Sequence, residues 1–324
     1  MLEIFTVYGA AINFVLINVA LALSIYVTLS AGLLSLANAG FMAIGAYTVA
    51  IMMSQTGAPL GLTFLLAIVI AILVAVPLGI VVLRLRDVYL AIATLAFGEI
   101  VRIVILNGDK MLRGVTDNPR LTLLNGAEGI ALPFRTQNVH LGVPENTLIL
   151  LSYVVVCAYI LATAYSSRAG RIWAAIRLDE AAASTLGIHA VRYKLLAFTL
   201  GAALAAGAGA LSSPVVRVID PNNYAYGRAV EILAFGVLGG TAHWSGPILG
   251  AVVLTGLPEA LRFLREHRDI ANGLVIMAAI IWLPRGIGDP RFWRGLLDRA
   301  RILLRRGPTD VRIGVPRSSG VPDC

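Results

Sequence analysis

The strongest constraint in the sequence is the stretch of residues 4–83, which contains no aspartate, glutamate, lysine, arginine or histidine. A helical membrane span needs about 20 apolar residues, so this stretch alone can hold three crossings. Over the whole chain 58% of residues are hydrophobic and 14% are charged, whereas soluble domains carry about 25% charged residues. The sequence therefore predicts an all-α polytopic integral membrane protein.

The individual spans are predicted from the gaps between charges and from glycine and proline positions. They cover residues 4–29, 33–53, 60–83, 88–106, 147–165, 195–216 and 270–284. Residues 232–258 are also apolar, but glycines and a proline in their middle would break one continuous helix, so they can form one span or two short ones. We expect about 8–10 transmembrane or half-spanning helices.

The distribution of basic residues predicts which loops are cytoplasmic, because short loops rich in lysine and arginine stay on that side. The loop 166–194 is basic, and the tail 285–324 holds nine arginines against four aspartates. The loop 107–146 balances its charges and is expected outside. Two cytoplasmic regions need an even number of crossings between them, which favours two short passes in 232–258, broken at 239–246. The transmembrane domain then covers 1–284.

The basic tail has its own pattern. Its first part places apolar residues on one helical face and arginines on the other, which predicts an amphipathic helix on the anionic lipid surface. Beyond residue 307 it is rich in glycine, proline and serine and is expected to be disordered.

Catalytic motifs are missing from the sequence, including the GxxxxGK[ST] phosphate loop, HExxH and GxSxG. Ionisable residues at membrane depth are costly and often mark a transport pathway. The candidates are Glu99, Glu231 and His243. Each also has a structural interpretation, since Glu99 can pair with Arg102 one helical turn away and Glu231 can complement a helix dipole.

The loop 166–194 predicts a helix-forming knob just under the bilayer. Its apolar residues recur at near-helical spacing, followed by a glycine that can end the helix and a second helical start at Val191. The apolar residues are Ile172, Trp173, Ile176, Ala183 and Leu186, and the glycine is Gly187. A compact knob of this kind fits a groove in a partner protein.

The segment SRAGRIWAAIRLDEAAASTLGIHAVRYKLLAF resembles the coupling loop of inner-membrane permeases, M-type subunit, in ABC importers of branched-chain amino acids. Three further segments resemble glycine-rich parts of the same family, and together they cover most of residues 33–284. They read LSLANAGFMAIGAYTVA, LRLRDVYLAIATLAFGEIVRIVILN and EILAFGVLGGTAHWSGPILGAVVLTGLPEALR.

The resemblance implies a transport subunit of the bacterial inner (plasma) membrane that is not an enzyme and uses ATP only through its partners. The implied partners are a sister permease, two cytoplasmic ATPases and an extracytoplasmic solute-binding protein. We expect no cofactor or metal bound by this chain, no catalytic residue and no nucleic-acid partner. The implied coupling residues are Arg168, Gly170, Arg171, Asp179, Glu180, Ala182, Ala183 and Gly187.

One position departs from the strict coupling pattern EAAxxxG, which places a glutamate at position 181. This chain has Ala181 there and Glu180 one residue earlier, which leaves the role of Glu180 open.

Two alternatives to this function are open. The chain can be a secondary transporter whose coupling ion titrates Glu99, Glu231 or His243, although the scarcity of membrane-depth charge favours the ABC importer. It can also be a permease of the same family that carries amides or urea. The sequence does not decide between a homodimeric and a heterodimeric pore.

Overall fold

Ten α-helices make up almost all of the described part of the chain in the computed structural model, which describes residues 2–85, 87–116, 129–131, 143–216, 218–240, 243–260 and 277. The helices are α1 (Leu2–Ser30), α2 (Asn38–Thr56), α3 (Leu60–Val82), α4 (Asp87–Thr116), α5 (Val143–Ser166), α6 (Arg168–Leu178), α7 (Glu180–Thr185), α8 (Ala190–Ser212), α9 (Tyr226–Gly239) and α10 (Gly246–Ala260). A 3₁₀ turn covers Pro221–Tyr224. Strands β1 (Ile130–Ala131) and β2 (Val218–Ile219) pair antiparallel.

Five of the described helices are long and apolar enough to cross a membrane: Gly9–Ser30, Leu60–Val82, Val88–Lys110, Glu145–Ser166 and Ala190–Ser212. Each coincides with a predicted span, so the prediction of an all-α, multi-pass membrane protein is confirmed.

Several helix boundaries differ from the predicted ones. Helix α2 begins at Asn38 rather than at Leu33. Helix α4 continues ten residues beyond the predicted end at Leu106, and α5 begins before Thr147, so the predicted outer loop 107–146 is helical at both ends. The span 270–284, except for helical Met277, and the tail 285–324 lie outside the described residues.

Helices α1 and α8 form the centre of the bundle. Within their apolar spans 67% and 72% of residues are buried, against 28% for the spans in α3, α4 and α5. Small residues allow this close packing, because lipid gives helices no hydrophobic reason to associate. A side chain at Gly45 of α2 would overlap the carbonyl oxygen of Ala206 in α8, and one at Gly209 would overlap Met42. Gly45 and Gly209 therefore serve packing between helices of this chain.

Helices α9 and α10 form a hairpin of two short elements, with the break at the position that the sequence predicts. Their 14 and 15 residues span only about 21 to 23 Å each, less than the 30 Å or so of a bilayer core. A side chain at Gly239 would overlap Gly246, and one at Gly250 would overlap Phe235. The two helices therefore touch through their backbones, and both pack on α1.

The segment between α8 and α9 is irregular and folds back into the bundle. The Ser213 hydroxyl donates to the carbonyl of Ala46 (2.9 Å), and the Tyr47 hydroxyl donates to the carbonyl of Ile219 (3.1 Å). The ring of Tyr224 also packs edge-on against Tyr47. Irregular backbone at membrane depth is tolerated only where protein or a water-lined cavity surrounds it, and here α2 supplies the hydrogen bonds.

Candidate functional site

The loop 166–194 folds into two short helices rather than the single helix that the apolar spacing from Ile172 to Leu186 predicts. Asp179 has an extended backbone (φ −158°, ψ 109°), which ends α6 and begins α7. Its side-chain oxygen Oδ1 accepts a hydrogen bond from the backbone N–H of Ala182 (3.0 Å). Aspartate favours such caps over a place inside a helix, so the predicted coupling residue Asp179 acts as the joint.

Helix α6 is fixed to the membrane helices at two places. The indole Nε1 of Trp173 donates to the carbonyl of Tyr193 in α8 (2.9 Å), and Trp173 is 2% exposed. Gly170 lies so close to the backbone of Tyr165 that a side chain there would overlap it. The predicted coupling residue Gly170 therefore lets α6 turn tightly against the end of α5.

Helix α7 is terminated by the turn at Gly187, two residues after its last residue Thr185, and the φ of Gly187 (81°) lies in the left-handed region. The N–H of Gly187 donates to the carbonyl of Ser184 (3.0 Å), and the N–H of Ile188 donates to that of Ala183 (3.2 Å). Left-handed glycines commonly end helices in this way. The predicted glycine stop is present at the predicted residue.

The outer surface of the loop carries both apolar and basic side chains. Leu178 is 89% exposed and Leu186 is 81% exposed. The prediction that Leu186 shares the apolar face of Trp173 and Ile176 is wrong, because the break at Asp179 changes the helical phase. Sequence reasoning missed Leu178, which follows the basic residue Arg177 at the end of α6. Arg168, Arg171, Asp179 and Ala182 are also exposed, whereas Ala183 is buried.

A groove of about 910 Å³ lies between the loop and the neighbouring turns of the bundle. Its lining includes Gly32 from the α1–α2 turn and Leu85 from the α3–α4 turn, opposite residues of α6, α7 and α8. A Cβ at Gly32 would lie 3.2 Å from the Cα of Arg177. Both turns therefore lie at the same end of the bundle as the loop, as the predicted topology requires.

Across this groove, Lys194 of α8 and Glu180 of α7 form an ion pair. The Nζ atom of Lys194 lies 2.7 Å from Oε2 of Glu180, and the side chains are 11% and 39% exposed. Sequence reasoning named Glu180 but missed its partner. The two residues are fourteen positions apart and on different helices, so no helical spacing signals the pair.

Glu99 occupies the middle of the α4 span and is paired. It lies about 17 Å along the helix from Val88, at 1.5 Å per residue. Its Oε1 accepts from Nε of Arg102 (2.9 Å), while Nη1 of Arg102 donates to Oδ1 of Asn222 in the 3₁₀ turn (2.9 Å). The Glu99 side chain remains 34% exposed.

Glu231 is part of a second polar cluster, between α9, α1 and α10. Its Oε2 accepts from Nη1 of Arg228 (2.7 Å), and Nη2 of Arg228 donates to Oδ1 of Asn18 (2.6 Å). The Nδ2 atom of Asn18 donates to the hydroxyl of Thr255 (3.0 Å). Arg228 is 10% exposed and Glu231 is 45% exposed. Sequence reasoning missed Arg228, although its position three residues before Glu231 on a helix was the available signal.

His243 has only local hydrogen bonds among the described residues. Its Nδ1 lies 2.8 Å from the Ser245 hydroxyl and accepts from the Ser245 backbone N–H (3.3 Å). These contacts hold the turn of the α9–α10 hairpin. No described contact joins His243 to Glu99 or Glu231, and the described residues contain no group of acidic, histidine or cysteine side chains that could hold a metal ion.

Most of the chain matches one known protein family. The family described as branched-chain amino acid transport system, permease component, matches residues 8–283. The high-affinity branched-chain amino acid transport system permease protein LivM of Salmonella typhimurium is 35% identical over 295 residues, covering 86% of this chain and 68% of the relative. LivM of Escherichia coli is 34% identical over 299 residues, covering 87% and 69%.

A second permease protein of a branched-chain amino acid transport system, LivH, also matches. LivH of Escherichia coli is 30% identical over 182 residues, covering 52% of this chain and 58% of the relative. No solved structure matches the chain significantly. The extent of the family match and the identity to LivM show that this multi-pass membrane protein belongs to the permease family of branched-chain amino acid transport systems.

Proposed function

We propose that this chain is a pore subunit of an ATP-driven importer and that separate ATPase subunits bind its coupling loop, residues 166–194. The observation that carries the proposal is the packing and exposure of the loop itself. Two short helices are packed against α5 and α8, yet the loop presents Leu178 and Leu186 to solvent. Since exposed leucines beside charged residues suit a protein partner, this surface supports docking.

The substrate proposed is a branched-chain or other hydrophobic amino acid. The support is that the LivM relatives, which match most of this chain, belong to branched-chain amino acid transport systems. Because LivM and LivH are both permease proteins of such a system, we propose that the pore pairs this chain with a sister permease. A solute-binding protein delivers the substrate from outside, and the complex lies in the bacterial inner membrane.

We also propose that the polar pairs Glu99–Arg102 of α4 and Arg228–Glu231 of α9 line the transport pathway. The carboxylates of Glu99 and Glu231 are 34% and 45% exposed, and ionised groups exposed to lipid at mid-span are costly. Water or a second subunit beside these carboxylates would remove that cost. Each carboxylate is balanced by an arginine, so the two pairs carry no net charge and suit a zwitterion. His243 is not assigned to the pathway.

The first experiment tests the energy source. The chain is reconstituted in proteoliposomes with its sister permease, ATPases and binding protein, and uptake of labelled leucine is measured with and without ATP inside. We expect uptake that requires ATP and is indifferent to a proton ionophore. Uptake that is abolished by the ionophore and indifferent to ATP would identify a secondary transporter instead.

The second experiment tests the docking surface. Leu178→Ser should lower the amount of ATPase that co-purifies with the chain, because burying a leucine contributes about 1.5 to 3 kcal/mol. Leu148→Ser is the matched control, since Leu148 is 69% exposed but lies near the opposite end of α5 from the loop. Equal ATPase recovery in both variants would contradict docking at Leu178.

A further inference from the structure

We propose that Lys194 is a positioning residue that fastens the coupling loop to α8, so that a displacement of the loop moves α8 as one body with it. This rests on the proposed function. Lys194 is only 11% exposed, and a charge with so little access to water needs a close counterion. Its counterion is Glu180 of α7, whose Oε2 lies 2.7 Å from the Lys194 Nζ. The pair therefore joins the second coupling helix to α8.

A second contact beside it joins the first coupling helix to the same place. The indole N–H of Trp173 in α6 donates to the carbonyl of Tyr193, the residue before Lys194. One attachment alone would leave the loop free to pivot. Attachment of α6 and α7 to adjacent residues of α8 removes that freedom, so the two coupling helices and the start of α8 form one rigid element.

Beyond this point α8 can transmit movement because its contacts are backbone contacts with little slack. A Cβ at Gly201 would lie 3.0 Å from the carbonyl oxygen of Ser24 in α1, and Gly209 touches the backbone of Met42 in α2. The far end of α8 leads into the irregular segment that carries Asn222, the partner of Arg102. The route from the loop to the membrane-depth polar residues is thus continuous through α8.

The first test measures leucine transported per ATP hydrolysed in the reconstituted complex. Lys194→Met keeps the apolar stem of the side chain but removes its charge. We expect the ratio to fall about fivefold, which corresponds to the loss of an ion pair that contributes roughly 1 kcal/mol. Lys194→Arg should retain the ratio, and the reversed pair Lys194→Glu with Glu180→Lys should exceed either single reversal. Lys110→Met, at the chain's other lysine and the far end of α4, should leave it unchanged.

These outcomes separate the inference from the proposed function. If the wild-type chain does not bind ATPases, the proposed function fails. If Lys194→Met binds ATPases and transports as efficiently per ATP as the wild type, or if the reversed pair is no better than its single variants, the positioning role is overturned while docking stands.

A second measurement uses the wild-type protein and does not depend on a variant that folds. A carbodiimide activates the Glu180 carboxyl, the Lys194 amine then forms an amide with it, and the reagent leaves as its urea. Peptide mass spectrometry should find this cross-link, and the cross-linked complex should keep its transport per ATP, since the pair stays together through the cycle. Glu180→Gln treated identically corrects for other modified carboxyls. Loss of transport on cross-linking would show that the loop must separate from α8, which overturns the inference.

Discussion

Gly187 offers the sharpest test of the coupling loop, through the change Gly187→Val. The residue has φ 81° and ends α7. A Cβ placed there would meet no atom within 4 Å. A Cβ at this position therefore clashes with no neighbour, and the expected effect of a substitution comes from the backbone conformation that the new residue must adopt.

The size of that effect follows from the left-handed geometry. A non-glycine residue held in this region costs about 1 to 3 kcal/mol, and a β-branched residue lies at the upper end. At about 2 kcal/mol the observed end of α7 becomes roughly 30-fold less favoured, since 1.4 kcal/mol corresponds to a factor of ten. Asparagine tolerates this region better than valine, so Gly187→Asn should restore most of the loss.

The assay is transport per ATP hydrolysed, with thermal unfolding of the purified complex measured in parallel. Gly57 provides the matched control, because it also has a left-handed φ (61°) and an open surrounding but lies in the turn between α2 and α3. Gly57→Val should destabilise to a similar extent without uncoupling transport from ATP hydrolysis. Normal coupling in Gly187→Val, or equal uncoupling in both variants, would refute the reasoning.

Three further changes test the architecture. Gly45→Ala should lower the unfolding temperature in detergent, because the new methyl overlaps the backbone of α8 at a cost of about 1 to 3 kcal/mol. Gly61→Ala is the control and should be neutral or slightly stabilising, since a Cβ there has no neighbour within 4 Å. Asp179→Ala should speed hydrogen exchange in α7 by removing a cap contact of about 1 kcal/mol, and Asp179→Asn should not. Arg228→Met should destabilise the α9–α10 hairpin by about 1.5 to 3 kcal/mol, because it removes charged hydrogen bonds to Glu231 and Asn18, as thermal unfolding would show.

The membrane spans could be predicted from the sequence because lipid imposes a single local requirement, namely a long apolar helix. The polar centre of the bundle could not be predicted in the same way. Arg228 and Asn18 form a hydrogen bond across 210 positions of sequence, and no local pattern records such a contact. The same reasoning started this apolar element at residue 232, whereas α9 begins at Tyr226, because it excluded the charged residues Arg228 and Glu231. A charge is tolerated there since protein rather than lipid surrounds Arg228.

The coupling loop was predicted better, with one instructive error. Burial of Trp173, Ile176 and Ala183 agrees with an amphipathic helix. Exposure of Leu186 does not agree with it. The Asp179 side chain accepts a hydrogen bond from the first turn of α7, so a new helix starts there and the apolar periodicity is interrupted. A helical pattern that runs through an aspartate should therefore be tested for a cap before it is extended.

The displaced glutamate of this loop can be understood from the same geometry. Glu180 is the first residue of α7, where a carboxylate complements the helix dipole, and its side chain reaches Lys194. Position 181 is one step further round the helix, about 100° away, and Ala181 is exposed. Moving the carboxylate with Glu180→Ala and Ala181→Glu keeps the net charge but should abolish the carbodiimide cross-link to Lys194 and lower transport per ATP as Lys194→Met does. If the shifted carboxylate supports both, the position of the glutamate does not matter and the pair acts only through net charge.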